Sequence, residues 1–199
     1  MNDIVPASLT HDPWPETARA MQAANDAEDP EDALRICVET TLRITGDADA
    51  HERPGALAED ERHFFVGGVF LAAPDGASHL LVAEWGFPPE QHRLNFPLDT
   101  GHPGWTWKNR VPLVLENTDE HTAFTQILKT ARMGSACYAP MLWRGRFLGQ
   151  IITAAQARNT YSPADRDRIA AMASAAAGLF LAKDGPAWLE RVWQEVAGG

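Results

Sequence analysis

Residues 136–165 read ACYAPMLWRGRFLGQIITAAQARNTYSPAD, and this stretch decides the fold. Two apolar runs, 136–143 and 147–155, flank Arg144-Gly145-Arg146, a connection short enough for a β-hairpin, with glycine where a positive φ is easiest. The second run gives way to Ser162-Pro163-Ala164-Asp165. Here a serine can cap a helix, proline suits its first position and an acid stands three residues after the cap. Ile169, Met172, Ala176, Leu179 and Phe180 then mark one helical face. Strand, tight turn, strand and helix therefore close the chain's main unit.

Working upstream, VPLVLE (111–116) is a strand, followed by the polar NTDEHTAF and a short helix expected to run to Ala131. HRLNFPLD (92–99) is a further short strand. HFFVGGVFLAA (63–73) and HLLVAEW (79–85) alternate as two strands joined across Pro74-Asp75-Gly76, and Gly67-Gly68 marks a bulge or a close backbone approach. Asp29-Pro30-Glu31 has the form of a cap, a first-turn proline and an acidic first turn; Leu34, Val38 and Leu42 follow at helical spacing until Gly46. Residues 46–61 are a polar loop. The chain divides into an extension, 1–29, partly helical or disordered with a short helix at 16–24; a domain, 30–183; and a short helix, 184–199, carrying Trp188, Leu189, Val192, Trp193 and Val196. This order describes an α+β fold with an antiparallel sheet and helices segregated to one face.

Composition narrows the function classes. In 199 residues, 17 basic against 27 acidic side chains give a formal charge of −10, which repels phosphate backbones. WRGR (143–146) is too small a basic patch to reverse that, so nucleic acid is set aside. No apolar run approaches the roughly 18 residues of a membrane span, and the N-terminus is acidic and proline-bearing where a secretory leader would be basic and then apolar. The expectation is a cytoplasmic protein without a membrane partner. The two cysteines, Cys37 and Cys137, lack redox or zinc spacing and read as small core residues.

The closing half also resembles a known family. A strand proline (Pro140), then W-R-G-R-F-L-G (143–149), an apolar strand and Y-S-P-A-D (161–165) opening a helix look like the end of a GAF domain. GHPGWTWKNRVPLVLENT (101–118) is similar to that family's Gly-x-x-Gly, short helix and proline-led strand. The resemblance covers about residues 30–183. It implies a PAS/GAF-like central antiparallel sheet with terminal helices packed on one face, a ligand cavity on the other, and a sensory role in signal transduction. It also implies homodimers through the terminal helices and a separate output protein.

Each chemistry that the resemblance implies makes its own demand on the residues. Free methionine sulfoxide reductases need cysteines that meet, whereas Cys37 falls on the first helix and Cys137 on an interior strand. A covalent bilin needs a cysteine upstream of RMGSACYAP (132–140), and none stands there. Cyclic nucleotides find no distinctive residue set. For haem, His79, His92, His102 and His121 lie in or beside the pocket loops without metal-site spacing. No catalytic residue, metal ligand or cofactor is assigned.

The ligand set is instead read from residues expected at the front of the sheet: Trp85, Arg93, His102, Trp105, Trp107, Asn117, His121, Phe124 and Tyr138. Trp105 and Trp107 would lie about 200° apart on a helix, so one is expected in the core and the other exposed. A helix opening at Gly101-x-x-Gly104 would offer free N–H groups to a small anion or carboxylate. Tyr138 shares a strand face with Ala136 and Pro140 and is placed on the cavity side, with a core tyrosine as the alternative. The rival to a sensor is an interaction module with a non-functional pocket, in which Trp188 and Trp193 dock a partner. A thiol enzyme ranks third.

Overall fold

The structure is a computed structural model that describes residues 12–121, 125–127 and 131–198. Among the described residues there are five α-helices and six strands. Helices α1 (Trp14–Asp26) and α2 (Pro30–Ile44) precede strands β1 (Phe65–Ala72), β2 (Ser78–Trp85) and β3 (Asn95–Pro97). Then come α3 (Gly101–Asn109), β4 (Leu113–Leu115), β5 (Ser135–Trp143), β6 (Arg146–Ala155), α4 (Asp165–Ala182) and α5 (Gly185–Gly198). All pairings are antiparallel, in the order β3-β2-β1-β6-β5-β4. The α+β reading holds.

Local chemistry explains the boundaries. Asp29 accepts the Glu31 N–H at 2.7 Å, and Pro30 opens α2 where its missing N–H has no partner to lose. At the decisive hairpin Arg144 (φ 49°) and Gly145 (φ 77°) both take left-handed backbone, the geometry that matches the twist of the flanking strands. Pro140 lies beyond the three β5 residues that β4 pairs, where β5 is locally an edge strand and a missing donor costs no ladder bond. The start of α4 is a variation on the expected box. Asp165 reaches back to accept the Ser162 N–H at 2.9 Å and hydroxyl at 3.1 Å, while its other oxygen accepts the Gly46 N–H at 3.0 Å. One carboxylate thus joins the end of α2 to the start of α4.

The short helix expected up to Ala131 is not found among the described residues there. One 3-10 turn spans Thr118–Glu120, and 121, 125–127 and 131 have no regular structure. The rest of that expectation lies outside the described residues.

The sheet separates two cores. Behind it, Leu34, Val38, Met141, Ile151, Ile169, Met172 and Phe180 join α2 and α4 to the strands. In front, Val66, Phe70, Leu81, Ala136, Tyr138, Ile152 and Ala154 form a second cluster. The tail belongs to the back core: Trp188, Leu189 and Val192 are buried there, and Trp193 packs against it. Trp188 thus serves the chain's own core, and Trp193 is partly covered by it. Among the described residues no helix is long and apolar enough to cross a membrane.

Candidate functional site

The front of the sheet is built by strand alternation. Val66 and Phe70 of β1, Ile152 and Ala154 of β6, and Ala136 and Tyr138 of β5 project from one face, with Ile152 paired to both Gly68 and Tyr138. Phe87, Thr125, Ile127 and Met133 cover them and leave a cavity of about 40 Å³. That volume admits one or two waters, against the roughly 300 Å³ or more of a drug-sized site. The lining is apolar apart from Thr125 and Tyr138, and holds no charged side chain among the described residues. Burial pushes the Tyr138 phenol pKa up, so it stays protonated and can both donate and accept.

Polar bonds fix the cover. Gln91 donates to the Ile127 carbonyl at 3.1 Å and the Thr118 hydroxyl to the Met133 carbonyl at 2.6 Å. Arg132 and Arg158 each reach Asp119 at 2.8 Å, and Arg158 also pairs with Glu61. Burial opposes ionisation of Asp119, but hydrogen bonds from Arg158 and Arg132 outweigh it and hold the carboxyl below its usual range.

Next to this cavity α3 lies across β5 and β6. Its buried stripe is His102, Pro103, Gly104 and Thr106. Gly104 comes so near Asp99 that a Cβ would stand 2.3 Å from the Asp99 carbonyl carbon, which accounts for the second glycine of Gly-x-x-Gly. Beneath α3 the Gln150 amide donates to the Pro103 carbonyl at 3.2 Å, with His79 Nε2 3.4 Å away. Gln150, His79 and Thr106 are fully buried. Gln150 Oε1 and Thr106 Oγ1 have no hydrogen-bond partner among the described residues; leaving such a group unpaired costs about 1–3 kcal/mol.

His79 lies between the rings of Phe96 and Phe147, at 5.1 and 6.1 Å. Burial drives its pKa down to about 4, against the pull of the Leu98 backbone. The unfolded chain therefore binds this proton more readily. Stability from His79 is complete above pH ~6.5 and declines as the pH falls towards 4, by roughly 2 kcal/mol at pH 5. Urea titrations at pH 7 and 5 are expected to show that loss, and His79→Phe to reduce the slope; an unchanged slope would exonerate His79.

The expected site residues divide. Tyr138 lines the cavity, and His102, 8% exposed, approaches it at 6.2 Å between ring centroids, with His121 edge-on to His102 at 5.7 Å. Burial first and then His121 lower the His102 pKa. Trp85 and Arg93 lie behind the sheet instead. Trp85 packs on the helix-side core, while Arg93 donates to the Val82 carbonyl, pairs with Glu31 of α2 and covers the Trp188 ring at 5.7 Å. Asn117 caps the 3-10 turn, accepting the Asp119 N–H and donating to Glu120. Phe124 lies outside the described residues. Neither tryptophan of α3 is core: Trp105 is 40% exposed and Trp107 half-buried, because the helix turns 102, 103 and 106 to the sheet. Neither ring lines the cavity.

Gln150, Phe70, Ile152 and Thr106 were missed. A glutamine in the apolar run FLGQIITAA, two positions from Ile152, was a legible signal for the front face. The thiols of Cys37 and Cys137 lie behind the sheet, and burial pushes Cys37 up to about 12 and raises Cys137 as well. A wider groove of about 310 Å³ between α1 and α2 is lined by Glu16, Arg19, Glu39 and Arg43, with Arg43 already paired to Glu16. Among the described residues no three His, Cys, Asp or Glu are grouped to hold a metal.

No family model and no curated protein matches the sequence. Solved structures do match the fold. The GAF domain of a phosphoenolpyruvate-protein phosphotransferase from Acinetobacter aligns at TM-score 0.68 and 19% identity, over 86% of this chain and 94% of that one. The free methionine-R-sulfoxide reductase of Neisseria meningitidis, solved with its substrate, aligns at 0.67 and 16%, over 92% and 98%. Residues 122 to 287 of a methyl-accepting chemotaxis protein align at 0.60 and 18%, over 83% and 96%. The chain has a GAF-like fold, one that these neighbours put to both signalling and enzymatic use.

Proposed function

We propose that this GAF-like domain is a cytoplasmic sensory module that binds a small, neutral and largely apolar molecule at the front of its sheet. It acts as a homodimer on a separate output protein. The observation that carries the reading is the cavity over Ile152 and Tyr138, lined by apolar side chains and adjoining a buried polar position. The uncharged lining favours a neutral ligand over the anion that the α3 N-terminus would invite. At about 40 Å³ the cavity is too small to hold a ring as it stands. A ring-sized molecule enters only by displacing Phe87, Thr125 or Ile127, and that displacement is the population shift that a partner would read.

Thermal melting with toluene, phenol, benzoate and phosphate tests this. A neutral ring at a hundred times its Kd adds about 2.7 kcal/mol, a rise of roughly 5–10 °C for a chain of this size, while the anions leave the midpoint in place. Ala154→Val narrows the cavity on a strand that tolerates β-branching, and is expected to abolish the toluene response with little change in the unliganded midpoint. Indifference to all four probes would sink the reading.

The smallness of the cavity favours a second reading, an interaction module with a filled pocket. Its surface would centre on Val111 and Trp143, each 46% exposed, beside the contact where Arg110 of the α3 end donates to the Gly145 carbonyl. Trp143→Ser would then weaken partner binding while leaving any toluene response intact. A thiol enzyme shares the fold, but both thiols are buried away from the cavity; turnover lost in Cys137→Ser would support it.

A further inference from the structure

The front of the sheet continues past the apolar cavity. Gln150 pairs with Phe70 on β1 and with Pro140 on β5, one front-facing position beyond Ile152 and Tyr138. Its Nε2 is engaged by the Pro103 carbonyl, so the amide is oriented and Oε1 is left as a fixed acceptor without a partner among the described residues. Thr106, one turn after Pro103 on the buried stripe of α3, brings a second unpartnered oxygen to the same interface. Two buried oxygens without a partner among the described residues, the one on Gln150 held in place by its amide, stand one strand position beyond the apolar cavity, whose lining includes neither residue. Together they match a molecule with an apolar body and one hydrogen-bond donor.

We propose that Gln150 and Thr106 form the polar end of the ligand site and select neutral apolar molecules that carry a single hydroxyl, amide or amine N–H donor over isosteric hydrocarbons. This rests on the reading of the front cavity as a ligand site. The apolar body lies over Phe70, Ile152 and Tyr138, and its donor replaces the missing partner of Gln150 Oε1, with Thr106 Oγ1 completing the contact. A site oriented in this way discriminates by what it leaves unpaired when the donor is absent. His79 Nε2 stands 3.4 Å from the same Gln150 Nε2, and its neighbours Phe96 and Phe147 are uncharged, so the recognition does not depend on a charge.

The test compares phenol with toluene, which differ by hydroxyl against methyl, in the native chain, Gln150→Leu and Thr106→Val, by titration calorimetry. The native chain is expected to prefer phenol by about tenfold, the size of one net hydrogen bond. Gln150→Leu is expected to bring the two within about twofold while toluene binding persists. Thr106→Val, which keeps the amide clamp on α3, reduces the preference by a smaller factor and guards against a fold defect in the first variant. Equal binding of the two probes by the native chain, or a preference unchanged in both variants, overturns the assignment, leaving a buried water as the partner of these oxygens and the cavity reading intact. Binding of neither probe by the native chain overturns both.

Discussion

A chain ending at Lys183 is expected to melt roughly 10–20 °C below the full-length chain. The loss follows from what the tail buries. Trp188, Leu189 and Val192 are each under 9% exposed against the helix-side core, and Trp188 also carries Arg93 over its ring. Three such side chains account for about 5 kcal/mol or more, and each kcal/mol moves the midpoint of a chain this size by roughly 2–4 °C. Arg93 would lose its aromatic face while keeping Glu31 and the Val82 carbonyl, so the damage is expected in the packing of α2, α4 and β2 before the front of the sheet. Calorimetry of the two chains decides the matter. A truncated chain as stable as the full one would make the tail a detachable docking arm and revive the interaction reading in its original form.

Gly149→Ala is the second large effect, expected to destabilise by about 3 kcal/mol or more. Gly149 lies on a central strand where β6 passes β1, and a Cβ there would stand 2.5 Å from the Phe70 carbonyl oxygen and 2.8 Å from the Leu71 Cα. These are backbone atoms of a paired strand and cannot swing aside as a side chain can. Gly178 supplies the opposite case. It lies in the interior of α4 with nothing within 4 Å of an added Cβ, so Gly178→Ala is expected to stabilise by about 0.5–1 kcal/mol through helix propensity. Urea unfolding of both variants should move the midpoint in opposite directions. A mild Gly149→Ala would mean that β1 and β6 shift apart cheaply, and that the motif W-R-G-R-F-L-G owes its second glycine to something other than this contact.

What could be read from the sequence depended on how locally each feature is determined. The hairpin 143–149 and the cap residues Asp29 and Asp165 act within a few residues of themselves, so spacing alone located them. Counting in twos put Tyr138 on one strand face with Ala136, and its phenol's need for a polar partner favoured the front; the structure has both in the front cluster. Trp85 and Arg93 failed the same kind of reasoning for a physical reason. Arg93 adopts a left-handed φ of 60° that turns its side chain back towards α2, and no local pattern announces which side of a sheet a loop arginine will reach. The two tryptophans of α3 were set by helix phase, which depends on where the helix docks. Gln150 shows the opposite lesson: its position on the strand was readable, and its bond to the Pro103 carbonyl of α3 emerged only in the folded chain.

The most direct test of the central claim is to add toluene to methyl-labelled protein and record intermolecular nuclear Overhauser effects. Contacts to the methyls of Ala136, Ile152 and Ala154 are the expected result, with shifts at Ile127 as the cover moves. Contacts confined to helix-side methyls such as Val38 and Met172, or no contacts at all, would contradict a ligand site at the front of the sheet.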